Sequence, residues 1–291
     1  LDAALSSELL ETIFWPGTLI ASRGVEIDGK STNFLLPYKV VGYEFLNWEG
    51  QKFSTSKGIG LFSDEALELF PVDYWRFYLS YLLPENKDSN FRWDDFAKRI
   101  NNDLIANYGN LFYRVTHFIK EHFDGKVPKG VINKEGQKLY TELAETVEKI
   151  GLLVRDVKLR EALKEVLALA SSLNKYFQEK EPWAVAEDDK ADAADTLFTS
   201  INLLRSISIL LYPFIPATAE TALKSIGAGS PSWSSVTEVK MKPRQRIEAR
   251  LLFKKIEKHD LDKAKQYKSR YAKKRDIAEK SVTPAVREKP M

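Results

Sequence analysis

An α+β protein made mainly of α-helix is what this sequence of 291 residues predicts, and three observations carry that expectation. From Asp94 onward, apolar residues recur at helical spacing over several long stretches. The first fifty residues show instead short β-branched and aromatic runs broken by turn residues. A composition that is 44% hydrophobic and 12% aromatic can fill a core, while 29% charged residues can solvate its surface. Global disorder, a peptide hormone and a disulfide knot are excluded. With no cysteine, the chain has no thiolate nucleophile, iron–sulfur site or Cys-ligated zinc.

Taken in order, Thr12 to Ile20, Val25 to Lys30 with its Asp28-Gly29 turn, and Tyr38 to Leu46 read as strands at the edge of an α/β domain. From Ser63, read as an N-cap, the pattern becomes helical through Phe70. Pro71 then punctuates it before the broad apolar stripe Tyr74, Trp75, Phe77, Tyr78 and Leu82. Asp94 to Phe123 reads as one long helix ended by Gly125 and Pro128. Gln137 to Val154, Lys158 to Phe177, Asp192 to Leu211 and the shorter Thr218 to Ile226 repeat the amphipathic pattern. Stripes of this kind cannot be satisfied singly, so they predict an α-bundle around a common core. A further helix is expected near Asp260 to Ile277, and the last eight residues are expected to be disordered. The chain divides on this basis into regions 1–50, 51–95, 96–230 and 231–291.

The formal charge of +3 is unevenly spread: from Lys240 onward there are 18 basic and 7 acidic residues, a local +11 that leaves −8 on the rest. Such an arm suits a polyanion such as nucleic acid, and equally a solvated, partly helical terminus. Of the three histidines, His117 and His122 lie five apart, a spacing that turns them away from a shared metal. The longest apolar run, Ile207 to Ile215, is interrupted by Ser208 and Pro213, so neither a membrane span nor a secretory leader is expected. The sequence begins at Leu1 without an initiator Met, as expected of a fragment, a processed product or one part of a longer polypeptide.

Three groups of residues could carry chemistry. In Gly50-Gln51-Lys52-Phe53-Ser54-Thr55-Ser56-Lys57-Gly58, two lysines bracket hydroxyl donors, and glycines allow close backbone approach. As a bare pattern it fits a phosphate-binding loop or a solvated turn. Asn110 and Arg114, four apart, share a helix face, where an amide and a guanidinium can present base-edge donors and a stacking plane. Pro182-Trp183 offers a restricted backbone and an indole platform.

Several of these segments together resemble the methionyl-tRNA synthetase family of class I aminoacyl-tRNA synthetases, in its archaeal-type form. Lys52-Phe53-Ser54-Thr55-Ser56 is similar to the signature usually written KMSKS. Phe14-Trp15-Pro16-Gly17, Asn47-Trp48-Glu49-Gly50, the run Asp73 to Leu79, Pro84 to Phe91 and Asn101-Asn102-Asp103-Leu104 fall in that family's order, covering roughly residues 10 to 230.

The resemblance implies a remnant of the Rossmann catalytic domain in 1–50, a signature-loop, stem-contact subdomain in 51–95, a helical anticodon-binding domain in 96–230 and a basic extension in 231–291. The implied activity is ATP-dependent attachment of methionine to tRNA(Met) through methionyl adenylate, in the cytoplasm. ATP with its accompanying Mg2+ is a substrate there, and no metal site is expected within this chain. Lys52, Ser54, Thr55, Ser56 and Lys57 would close over the ATP phosphates and stabilise charge on the leaving pyrophosphate. Many family members carry lysine at the position of Thr55, and Lys57 stands close enough to compensate. Trp15 would line the methionine pocket, where its ring suits a thioether; as a bare residue it fits an ordinary core position as well. Asn110, Arg114, Pro182 and Trp183 would read the anticodon.

The nucleotide-binding first half of the Rossmann domain, with its HIGH-like motif and cysteine-rich knuckle, has no counterpart in this sequence. Two functions are therefore expected to compete. One is a synthetase portion that needs an N-terminal catalytic half, and the other is a noncatalytic tRNA-binding module or scaffold. The preserved signature loop favours the first.

Overall fold

The computed structural model describes residues 10–31, 33–54, 56–185 and 190–267, in two units that part between Glu44 and Phe45. In the first, a π-helical turn Leu10–Phe14 runs into α1 (Trp15–Ala21), followed by a hairpin of β1 (Glu26–Ile27) and β2 (Lys30–Ser31). The expected strand over Thr12 to Ile20 is thus a helix. Pro16 stands at the second position of α1, just past the junction with the π-helical turn, and the Thr18 hydroxyl donates to the Phe14 carbonyl at 2.8 Å. The Asp28-Gly29 turn forms as expected, both residues having positive φ, which matches the twist of a tight hairpin. Much of this unit's apolar surface is uncovered, Leu35 being 92% exposed and Phe14 69%.

In the second unit, β3 (Leu46–Trp48) pairs antiparallel with β4 (Gln51–Lys52) and parallel with β5 (Ser89–Phe91). The strand expected over Tyr38 to Leu46 is confined to its last residue and the two beyond it, because β5 offers a hydrogen-bonding partner only there; residues 38–45 have no regular structure. Between β4 and β5 lie α2 (Ser63–Leu69) and α3 (Val72–Leu82). Phe62 takes the N-cap position expected of Ser63, and its N–H donates to the Glu65 carboxylate at 3.1 Å. Pro71 caps α3, which buries Tyr74, Trp75, Phe77 and Tyr78.

The bundle begins with α4 (Trp93–Arg99), which continues without a break through a π-helical stretch, Ile100–Gly109, into α5 (Asn110–His122). Helices α6 (Lys134–Arg155), α7 (Leu159–Lys180), the short α8 (Pro182–Val185), α9 (Lys190–Leu211) and α10 (Pro216–Ser225) complete it. The amphipathic helices form as expected, each a few residues longer than the apolar pattern, because polar end residues carry no periodic signal. Asn133 starts α6 by accepting a hydrogen bond from the Gly136 N–H at 2.8 Å. Helix α9 is long and apolar enough to cross a membrane by length and composition, but 94% of that window is buried inside the bundle. It is the core helix, packed against α5, α6, α7, α8 and α10.

From Trp233 the chain returns across the bundle as an extended strap. Three polar side chains on buried α9 hold it: Arg205 donates to the Ser235 carbonyl at 2.9 Å, Ser206 to the Val236 carbonyl, and Asn202 accepts from the Met241 N–H at 2.8 Å. Further on, the Tyr74 hydroxyl bonds to the backbone of Lys254, and the Asn101 amide pairs with both backbone groups of Ile256. Helix α11 (Lys258–Gln266) then packs on α4, with Lys265 reaching Asp94 at 2.6 Å. The Asp94 carboxylate holds the Lys265 ammonium above its ordinary pKa. The helix expected to reach Ile277 ends at Gln266, where Tyr267 turns extended, and the rest of that expectation and the final eight residues lie outside the described residues.

Arg205 is the test of this strap. Burial disfavours its charge, and its hydrogen bonds to the strap compensate. Arg205→Ala is expected to cost about 2–4 kcal/mol in urea unfolding and to open residues 232–256 to protease. Unchanged unfolding and cleavage would show that the strap is held some other way.

Candidate functional site

The signature segment is a hairpin seated on an aromatic cluster. Trp48 stacks on Phe91 with centroids 4.1 Å apart and planes 3° from parallel, while Trp93 meets Phe91 edge-on at 4.9 Å. Glu49 and Gly50 both have positive φ and make the tight turn between β3 and β4. That turn is tied from three sides. The Glu49 N–H donates to the Phe91 carbonyl at 2.8 Å, the Gly50 N–H to the Asn90 side chain at 2.7 Å, and the Glu49 carboxylate accepts from the Trp93 N–H at 2.8 Å. Lys52 leaves this platform with its ammonium 5.1 Å from the centre of the Phe45 ring.

Past Lys52 the loop is pinched by a two-bond bridge between Ser54 and Ile59. Inside it, the Ser54 and Ser56 hydroxyls lie 3.2 Å apart, and the Lys57 N–H donates to the Ser54 hydroxyl at 3.3 Å. Ser54, half-buried, and Ser56 and Lys57, exposed, therefore stand on one short turn, with exposed Lys52 at the end of β4 just before it, while Thr55 lies outside the described residues. Two ammonium groups, hydroxyls and backbone N–H groups on a short loop suit an anionic phosphate chain and not a metal ion. Among the described residues no group of three or more His, Cys, Asp or Glu side chains could hold a metal.

The second constellation lies on the bundle. Arg114, on α5, places its guanidinium 5.1 Å from the ring centres of both Phe177 and Trp183, and donates to the Gln178 side chain at 3.2 Å. Phe177 is buried and meets Trp183 edge-on at 5.7 Å. Glu181 ends α7 in the left-handed region, and Pro182 opens α8 where its fixed φ fits the first helical position. Pro182 is buried and α8 packs on α9, so Trp183 is carried on a firm base while staying 39% exposed. Asn110 is exposed one turn before Arg114 on the same helix. Arg114, Pro182 and Trp183 are thus brought together, with Asn110 beside them. Phe177 and Gln178 complete the platform and escaped sequence inspection, because periodicity does not tell which residue of α7 faces α5. Trp15 belongs to the first unit, at the start of α1, and is half exposed.

Family comparison bears on both constellations. Residues 9–116 match the family model for class I tRNA synthetases (M), and residues 127–276 match the model for the anticodon-binding domain of methionyl tRNA ligase. The chain belongs to the methionyl-tRNA synthetase family. Among its relatives, the methionine–tRNA ligase of Pyrococcus horikoshii is 35% identical over 84% of this chain, and that of Sulfolobus acidocaldarius 36% identical over 84%. The chain spans only 34% and 43% of the length of these two relatives. A solved structure of Mycobacterium tuberculosis methionyl-tRNA synthetase bound by methionyl-adenylate shares the fold, with a TM-score of 0.73 and 23% identity, over 84% of this chain and 48% of that one. The expected class, a mainly helical α+β member with a class I remnant followed by an anticodon-binding bundle, is what the structure and the family models give.

Gly60 tests whether the signature turn is packed or merely solvated. Its φ of +111° is accessible to glycine, and a Cβ there would run into the Phe53 ring. Gly60→Ala should raise hydrogen exchange across residues 53–60 and lower stability by about 1–3 kcal/mol. Unaltered exchange would mean that Phe53 does not hold the loop.

Proposed function

We propose that this chain is the part of a methionine–tRNA ligase that closes over the ATP phosphates and reads the tRNA(Met) anticodon. In the assembled enzyme, methionine would be activated by ATP, with its accompanying Mg2+, to methionyl adenylate and passed to tRNA. The observation that carries this function is the presence, in one unit of one chain, of a lysine–serine turn on a rigid hairpin and a stacked Arg114–Trp183 platform. A pure anticodon binder needs only the second.

In this scheme Lys52, Ser54, Thr55, Ser56 and Lys57 stabilise charge growing on the leaving pyrophosphate, by electrostatics and not by proton transfer. Trp15 contributes apolar ring surface to the methionine pocket. Trp183 stacks an anticodon base, Pro182 fixes its approach, and Arg114 and Asn110 address base edges. The nucleotide-binding half of the catalytic domain comes from an N-terminal segment or subunit. The exposed apolar side chains of the first unit and the chain's short span relative to its relatives support that. Regions 1–50, 51–95, 96–230 and 231–291 would then be the Rossmann remnant, the signature-loop subdomain, the anticodon-binding domain and the basic extension. Such an enzyme works in the cytoplasm, where tRNA is charged.

Trp183→Ala and Arg114→Ala should each weaken tRNA(Met) binding roughly 5- to 150-fold, which corresponds to the loss of one stacked base, and erase preference for the methionine anticodon over a swapped one. Lys52→Ala should slow methionine-dependent ATP–pyrophosphate exchange of the assembled enzyme by about 100-fold at unchanged tRNA affinity. Undiminished anticodon preference in the first pair would contradict the assignment of the bundle. An unaltered exchange rate in the third variant would remove the loop from the chemistry.

A further inference from the structure

Ahead of Arg114 in the chain, the π-helical stretch that leads into α5 lines, together with α7, an open groove of about 610 Å³. The π-helical stretch and α7 run side by side in the same direction. The Asn107 amide donates to the Leu167 carbonyl at 3.0 Å and the Ser171 hydroxyl at 3.1 Å, and seven residues further on Arg114 meets Gln178. Asn174 closes the floor by donating back to the Asn107 side chain at 3.0 Å. The floor is therefore made of amides whose hydrogen bonds are already spent on joining the two helices.

The walls have a chemical bias. On α7, residues 160, 164, 168, 171, 175 and 178 form one exposed row at three- and four-residue spacing, occupied by Arg, Lys, Ala, Ser, Lys and Gln. No acid stands in that row. Of the neighbouring acids, Asp103 pairs with Arg99 at 3.0 Å, Glu165 with Lys149 at 2.8 Å and Glu179 with Lys175 at 3.8 Å, the last pair exposed and weak, while Glu161 stands exposed beside Arg160. Lys164 makes no ion pair among the described residues. Across the groove, Asn102, Ala106 and Asn110 are exposed and lead in four-residue steps to Arg114. From Lys164 to Gln178 the track is about 21 Å long.

We infer that this groove carries the sugar–phosphate backbone of the RNA strand whose base stacks on Trp183. Ala106, Ala168 and Ser171 leave room for a chain, and the groove is wide open with Leu167 as its one large apolar lining residue, too little for the deep anchor pocket a protein partner needs. Lysines and exposed amides are donors suited to phosphate and ribose oxygens, which position a nucleic acid without reading its sequence. One turn beyond the groove residue Asn174, Gln178 meets Arg114, so the exposed row of α7 leads from the groove toward the base platform and a strand leaving Trp183 can follow it. The inference rests on the proposed anticodon role of that platform and adds to it a sequence-blind contact made by α7.

The two contributions separate in a salt titration of tRNA binding by the full chain, using tRNA(Met) transcript and the same transcript with a swapped anticodon. Lys164→Ala/Lys175→Ala is expected to lose roughly three- to tenfold in affinity for both transcripts at low salt. It should also flatten the plot of log affinity against log salt by about one per lysine, with anticodon preference intact. Both lysines are exposed, so folding is not at stake, and Lys164→Arg/Lys175→Arg should restore the slope. A double-alanine slope and affinity equal to those of the unsubstituted chain, in a protein that does prefer the methionine anticodon, would overturn the groove and leave the platform standing. Absence of any anticodon preference in the unsubstituted chain would overturn both.

Discussion

Helix α9 is buried on every side, and most of the second unit is arranged to satisfy that one demand. A helix with apolar residues on every face cannot lie on a surface, so α5, α6, α7, α8 and α10 enclose it. The same enclosure fixes the functional residues. Arg114 projects from α5, Phe177 and Gln178 from α7, and Trp183 from α8, all of which pack on or around α9. Three polar residues of α9, Asn202, Arg205 and Ser206, bind the returning strap and Ser208 bonds Tyr108, so a helix with these side chains can still be a core helix.

The strap connects the bundle to the signature hairpin. Phe253 lies where a Cβ on Gly109 would stand, one residue before Asn110, and its ring is 6.1 Å from that of Tyr74 in α3. Beyond it, α11 grips α4 next to Trp93, whose N–H ties the Glu49 turn. Packed contacts thus run from the helix that carries Asn110 and Arg114 to the turn that precedes Lys52. The hairpin is held by rigid, buried aromatic rings, while the lysine–serine turn beyond it is exposed. That division suits a loop that must keep its place yet move around a ligand.

Much of this was legible in the sequence, and the failures have physical causes. The bundle helices follow from apolar spacing, and the Asp28-Gly29 hairpin from turn chemistry. Thr12 to Ile20 misled because aromatic and β-branched residues favour strands, while Pro16 sits at a junction of π- and α-helix that the sequence does not announce. Tyr38 to Leu46 misled because a strand exists only where another strand pairs with it, and its partner at Ser89–Phe91 lies some forty residues away. The π-helical stretch gives no sequence signal, since apolar spacing over Ile100–Gly109 reads as ordinary helix. Arg114 and Trp183 were found through family motifs. Phe177 and Gln178 needed the structure, because their role lies in which face of α7 meets α5.

The central claim, that this chain supplies the phosphate-closing and anticodon-reading portion of a methionine–tRNA ligase, is tested most directly by reconstitution. Methionine-dependent ATP–pyrophosphate exchange would be measured for the purified chain alone and after mixing with a polypeptide supplying the N-terminal catalytic half. The account predicts silence from the chain alone and exchange from the mixture. Continued silence from a mixture shown to have assembled and to bind tRNA would contradict it and make the chain a noncatalytic tRNA-binding module.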